Sequence, residues 1–106
     1  MSSNLRRFEV LLPTQFNDGR AVPDEWFADA LDEIVDHFGA VSFHKEAVEG
    51  YWQHGGTLYR DELGMIVVDI PNNAKSRKWM KAFKARWKIR LEQLEIWMVS
   101  YLIDIE

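Results

Sequence analysis

A chain of 106 residues with 47% hydrophobic and 28% charged residues has the size and make-up of one globular domain, not of a disordered segment. The absence of Cys excludes disulfides and any Cys-based metal centre, and the net charge of −4 is too mild to name a partner. No apolar run reaches the roughly 18 residues of a membrane span, and Met1 to Arg7 lacks the apolar stretch of a signal peptide; a soluble, cytoplasmic protein with no membrane partner is expected.

Residues 6–12 alternate Phe8, Val10 and Leu12 with Arg7, Glu9 and Leu11 before Pro13, which reads as a strand. After a polar connection holding the turn signal Asn17-Asp18-Gly19, Pro23, Asp24 and Glu25 open a helix. The fixed φ of Pro suits a first helical turn, and acids there complement the helix dipole. Trp26, Phe27, Ala30, Leu31, Ile34, Val35 and Phe38 fall on one helical stripe, and Gly39 is a natural stop. Residues 40–44 read as a second strand, with Val41 and Phe43 on one face. Residues 46–69 read as a long, irregular hairpin turning at Gly55-Gly56, since two glycines accept the positive φ angles of a two-residue loop. Asn72 and Asn73 offer an N-cap to a second helix over about 74–93, whose stripe is Trp79, Phe83, Trp87, Leu91 and Leu94. Residues 95–105, rich in β-branched and aromatic side chains, close the chain as a strand.

The order is βαββαβ, and the expectation is a single ferredoxin-like α+β domain over residues 1–106, a four-stranded antiparallel sheet with two helices on one face. Two helices cover one face of such a sheet. Yet the closing strand is apolar on both, with Ile96, Met98 and Leu102 on one side and Trp97, Val99, Tyr101 and Ile103 on the other. Either the irregular hairpin shields the second face, or a homodimer forms through the open sheet faces. The dimer is favoured, because so large an apolar patch is a liability on a monomer.

Without a bulge in the hairpin, Trp52 opposes Tyr59, His54 opposes Thr57 and Gly50 opposes Asp61. His44, Glu46, Trp52, His54, Tyr59 and Asp61 then share the open face; a bulge, which Gly50 could host, would flip half the set. Three readings compete. His44, Glu46 and His54 form a two-His, one-carboxylate metal set. Alternatively, His44 or Asp61 acts as a general base, and a small molecule binds beside Trp52 and Tyr59. In the third, Trp52 and Tyr59 are a stabilising cross-strand pair and the charges of Arg60, Asp61 and Glu62 solvate the hairpin edge. The candidate ligand-binding set is His44, Trp52, His54, Tyr59 and Asp61; no metal or cofactor is assigned. No phosphate loop, zinc-protease helix motif or nucleophile elbow is present, and Ser42 and Ser100 have no triad context.

Residues 70–91 hold eight cations (Lys75, Arg77, Lys78, Lys81, Lys84, Arg86, Lys88, Arg90) and no acid, while residues 24–36 hold six acids and no base. A basic, aromatic helix superficially resembles a nucleic-acid surface. Trp79, Phe83 and Trp87 lie four apart, however, and so face a core instead of displaying rings for stacking. The strand pattern of ferredoxin-like RNA binders is also missing. Two oppositely charged helices lying side by side account for the charges more simply. A protein- or nucleic-acid-interaction module acting through the basic helix 74–93 remains the alternative to ligand binding.

The runs G-Y-W-Q-H-G-G-T-L-Y-R-D-E-L at residues 50–63, F-K-A-R-W-K at 83–88 and I-W-M at 96–98 resemble those of a group of small bacterial proteins of ferredoxin-like fold with no assigned function. The resemblance extends from about Phe8 onward and implies the fold; it carries over no catalytic residue. In architecture the chain is similar to dimeric α+β barrel proteins, among them small oxygenases, ligand sensors and structural modules, which raises the expectation of a pocket.

Overall fold

The computed structural model describes residues 4–106, without the side chains of residues 46 and 47. Its elements are β1 (Leu5–Pro13), α1 (Asp24–Phe38), β2 (Ser42–His54), β3 (Thr57–Pro71), α2 (Ala74–Arg90) and β4 (Met98–Ile103). The sheet order is β2-β3-β1-β4, all neighbours antiparallel, which is the ferredoxin-like α+β arrangement. Alternation along a strand sends every second side chain to one face. Phe8, Val10 and Leu12 of β1 and Ile66, Val68 and Ile70 of β3 are therefore buried together, under Phe27, Ala30 and Ile34 of α1 and Met80, Phe83 and Trp87 of α2. Each of the Val, Leu, Ile, Phe and Met side chains among these contributes roughly 1.5–3 kcal/mol on burial, so this face holds the fold together.

Local chemistry sets the helix ends. Gly39 adopts φ 91° and returns its N–H to the Val35 carbonyl at 2.7 Å, closing α1 where expected. The Asn73 side chain accepts the Ser76 N–H at 2.8 Å and caps α2. The helix ends at Arg90, short of the expected Gln93. Glu92 takes φ 56°, and the Gln93 N–H reaches back to the Lys88 carbonyl at 3.0 Å, a Schellman-type closure made without glycine. After the turn at residues 91–92, residues 93–97 form an irregular, bent connection, and β4 begins at Met98 instead of Glu95.

The helices pack side by side. Arg86 pairs with Glu33 at 2.9 Å and Arg90 with Asp29 at 3.1 Å, while the Trp87 indole donates to Glu33 at 2.5 Å. Exposed ion pairs of this kind contribute on the order of 0–1 kcal/mol each and orient α2 more than they stabilise it.

The hairpin turns at Gly55-Gly56, with φ 59° and 79°. Its irregularity lies between His44 and Val48, not at Gly50, which pairs directly with Asp61. Four steps along β2 there match two along β3. The slip is an even number of residues, so the in–out alternation survives it. β1 last pairs at Pro13↔Leu63, and the Thr14 N–H still donates to the Glu62 carbonyl at 2.9 Å; beyond that point Glu49–His54 and Thr57–Asp61 pair with each other as a two-stranded arm.

Candidate functional site

The face opposite the helices carries Leu11 of β1, Leu63, Met65 and Val67 of β3, and Trp97, Val99 and Tyr101 along β4. Polar groups on it are mutually engaged. Arg7 grips Asp69 with two bonds of 2.8 and 3.0 Å, which holds its guanidinium well above the ordinary value, the hydrogen bond to Asp69 being the main cause. The Tyr101 hydroxyl donates to Glu9 at 2.6 Å, and that bond, with Glu9's charge and partial burial, raises the phenol pKa. This quartet was not foreseen, because cross-strand partners from β1, β3 and β4 are distant in sequence.

On the arm, Trp52 and Tyr59 stack across the strands with ring centroids 4.4 Å apart and planes 16° from parallel. The Trp52 indole N–H donates to the Asp61 carboxylate at 2.7 Å, fixing the ring over the base of the arm. His54 lies 6.5 Å from Trp52, ring to ring. On the other side of the arm Arg60 pairs with Glu49. A direct cross-strand aromatic contact of this kind adds roughly 0.5–1.5 kcal/mol and holds a ribbon that has no third strand.

Where the arm meets the sheet there is a cleft of about 430 Å³, lined by Leu11, Pro13, Leu63, Leu94 and Trp97 with Trp52, His54, Asp61, Gln93 and Glu95. That volume lies within the ordinary range of small-molecule sites. Trp97 is 63% exposed and Leu94 57%, a large apolar surface for one short connection. Among the described residues no Lys or Arg lines the cleft. Its two carboxylates are Asp61, bound to the indole, and Glu95, which Lys84 at 3.0 Å and the Ile96 N–H at 2.9 Å hold below the ordinary glutamate value. Apolar walls, two indoles and two carboxylates suit a flat ligand that is neutral or cationic.

Of the residues singled out from sequence, Trp52, His54 and Asp61 line this cleft, and Tyr59 backs Trp52. His44 does not join them. It pairs with Met65, six residues along β3 from Tyr59, which places it about 20 Å away along the strand. His44 and His54 are separated by still more and cannot share an ion; Glu46 lies outside the residues whose side chains are described. Among the described residues no three His, Asp or Glu side chains are placed to hold a metal. The 93–97 wall was missed from sequence, since it forms only because α2 ends early: Leu94 was expected on the α2 stripe and Trp97 within the closing strand, and both lie between those elements.

No family model matches the chain, and no curated protein matches its sequence. Solved structures do match its fold. A phage SAM lyase in complex with S-methyl-5'-thioadenosine aligns with a TM-score of 0.76 at 12% identity, over 99% of this chain and 86% of that one. CutA1 from Oryza sativa aligns at 0.67 with 11% identity, over 99% and 84%. The divalent cation tolerance protein CutA1 from Thermus thermophilus aligns at 0.65 with 12% identity, over 96% and 86%. At these identities the likeness is one of fold, and the resemblance drawn from residues 50–63, 83–88 and 96–98 is supported at that level. Among the described residues no helix is long and apolar enough to cross a membrane.

Proposed function

We propose that this protein is a homodimeric, small-molecule-binding domain whose ligand occupies the cleft between the base of the arm and the 93–97 segment. The supporting observation is the cleft itself: a hollow of ligand size, walled by Trp97, Leu94 and Leu11, with the Trp52 ring locked in place by Asp61. A locked ring costs little entropy when a ligand stacks on it. The absence of Lys and Arg among the described lining residues disfavours phosphates and carboxylates, and a purine nucleoside bearing a thioether or sulfonium group fits the walls. The phage SAM lyase, similar in fold, holds such a nucleoside, S-methyl-5'-thioadenosine, which makes it the first compound to try. The homodimer reading rests on the apolar open face, where Leu63, Met65, Val67 and Val99 stand together only half-buried.

Calorimetric titration with S-methyl-5'-thioadenosine, SAM and adenosine tests the cleft. Saturable binding that weakens about tenfold or more in Trp52→Ala and in Asp61→Asn supports it. No heat from any of the three at millimolar concentration, or binding indifferent to both substitutions, refutes it. Sedimentation tests the dimer: Val67→Asp should shift a dimer to monomer, and a wild-type monomer at micromolar concentration rejects it.

A further inference from the structure

The two edges of the sheet are built differently. Outer strand β2 carries Lys45 and Glu49 and the register irregularity after His44, devices that keep a strand edge from pairing with other chains. Outer strand β4, M-V-S-Y-L-I, has no charge, proline, glycine or bulge. Its geometry also leaves pairing groups free. The Leu11 N–H donates to the Trp97 carbonyl at 2.9 Å, so in this antiparallel register Val99, Tyr101 and Ile103 bond to β1. The N–H and C=O groups of Met98, Ser100 and Leu102 therefore point outward from the sheet, and Leu102 is 61% exposed.

Above this edge runs a line of positive charge. Arg77, Lys81, Lys84 and Lys88 recur at helical spacing and form one stripe of α2. Arg86 and Arg90 reach the acids of α1 on one flank, whereas Lys84 reaches Glu95, at the entrance to β4, on the other. The stripe is thus on the β4 side, out of reach of the α1 acids that neutralise Arg86 and Arg90. It runs about 16 Å along the helix, close to the roughly 20 Å of a six-residue strand. A shallow hollow of about 350 Å³ lies between Lys81, Lys84, Lys88 and the 79%-exposed Ile89.

We infer that the outer edge of β4 receives an extended acidic segment of a partner protein as a fifth strand, its acidic side chains beneath the α2 stripe and its alternate apolar side chains beside Val99 and Tyr101. An added peptide strand supplies both the donors and the acceptors that β4 lacks, and alternation presents one kind of side chain to each face. A nucleic-acid backbone supplies acceptors alone. Of the aromatic rings of α2 that could stack on bases, Phe83 and Trp87 are buried at 0% and 3% exposure, and the half-buried Trp79 is already stacked on His37 of α1 with ring centroids 4.6 Å apart. A second copy pairing β4 to β4 would set two basic stripes against each other. This interface borders the cleft at Glu95, which lines both the cleft and the hollow beside the stripe, but its test does not depend on ligand binding in the cleft.

The test is fluorescence anisotropy with a labelled peptide of alternating Glu and Val at low salt. Binding should weaken as salt rises, and Arg77→Glu/Lys81→Glu/Lys88→Glu should abolish it. Leu102→Pro should weaken it about tenfold or more while Leu102→Ala leaves it unchanged, because the Leu102 N–H points away from β1. The same peptide N-methylated at alternate residues should fail to bind the wild-type protein, a readout that does not depend on any variant folding. Several results overturn the inference: no binding at low salt, equal binding by the Pro and Ala variants, full binding by the methylated peptide, or preference for a thymidine oligonucleotide over the peptide. Conversion of a wild-type dimer to monomer by Leu102→Pro would assign the edge to a second copy instead.

Discussion

Strand β3 crosses two regions with one alternation and two outcomes. From Gly64 to Ile70 its inward residues Ile66, Val68 and Ile70 are at most 2% exposed, between β1 and β2 and beneath both helices. From Thr57 to Glu62 the same alternation buries nothing, because β1 has ended and neither helix reaches the arm. Chemistry and cover differ together: the helix-side positions are Ile66, Val68 and Ile70 in the first half, but Leu58, Arg60 and Glu62 in the arm, where two of the three are charged and remain in solvent. In the first half the apolar face is consumed by stability, and in the arm the aromatic residues are left available to a ligand or a neighbour.

The largest effect that would sharpen this contrast is Ile66→Ala. A fully buried site loses about 2–5 kcal/mol on such truncation, read as a lowered midpoint in urea unfolding. Next come the two glycines on either side of the boundary. A Cβ at Gly64 would sit 2.7 Å from the Phe43 ring, so Gly64→Ala should cost about 1–3 kcal/mol. At Gly50 the nearest atom, 3.0 Å away, is the tip of the flexible Leu63 side chain, so Gly50→Ala should cost visibly less in the same assay. Equal costs at the two sites would break the distinction between core and arm. In the arm, Trp52→Ala should lower stability by only about 0.5–1.5 kcal/mol, the worth of its aromatic contact, while removing ligand binding.

The smallest effects are those of pH. Glu95, held low chiefly by its bond to Lys84, stabilises the fold above the ordinary glutamate value, and that contribution is lost as pH falls through its lowered pKa. Tyr101, raised chiefly by its bond to Glu9, stabilises the fold while protonated, and that contribution is lost as pH rises beyond about 10. Glu95→Gln should flatten the acid limb of a melting profile and Tyr101→Phe the alkaline limb. A limb unchanged by its substitution shows that solvent screens the pair.

Much of the molecule was legible from pattern. The stripe of α1 with Gly39 after it, the Asn73 cap, the Gly55-Gly56 turn and the alternation of β1 are local signals, and each element formed where they lay. The open-face grouping of Trp52, His54, Tyr59 and Asp61 was also legible, though only because the unforeseen irregularity slips an even number of residues. His44 illustrates the limit. Sharing a face was readable from parity; sharing a site was not, because distance along a strand matters as much as side.

The 106 residues alone determined which segments are helix and strand, which side of each is apolar, and that one helix is acidic and the other basic, since these depend on periodicity and short-range stereochemistry. Only the tertiary structure decided that the 93–97 segment meets the arm to form a cleft, and that the basic helix pairs with α1 acids on one flank and through Lys84 with Glu95 on the flank above a bare strand edge. These features arise where segments far apart in the chain come together, and no local pattern of residues records which neighbour a side chain will meet.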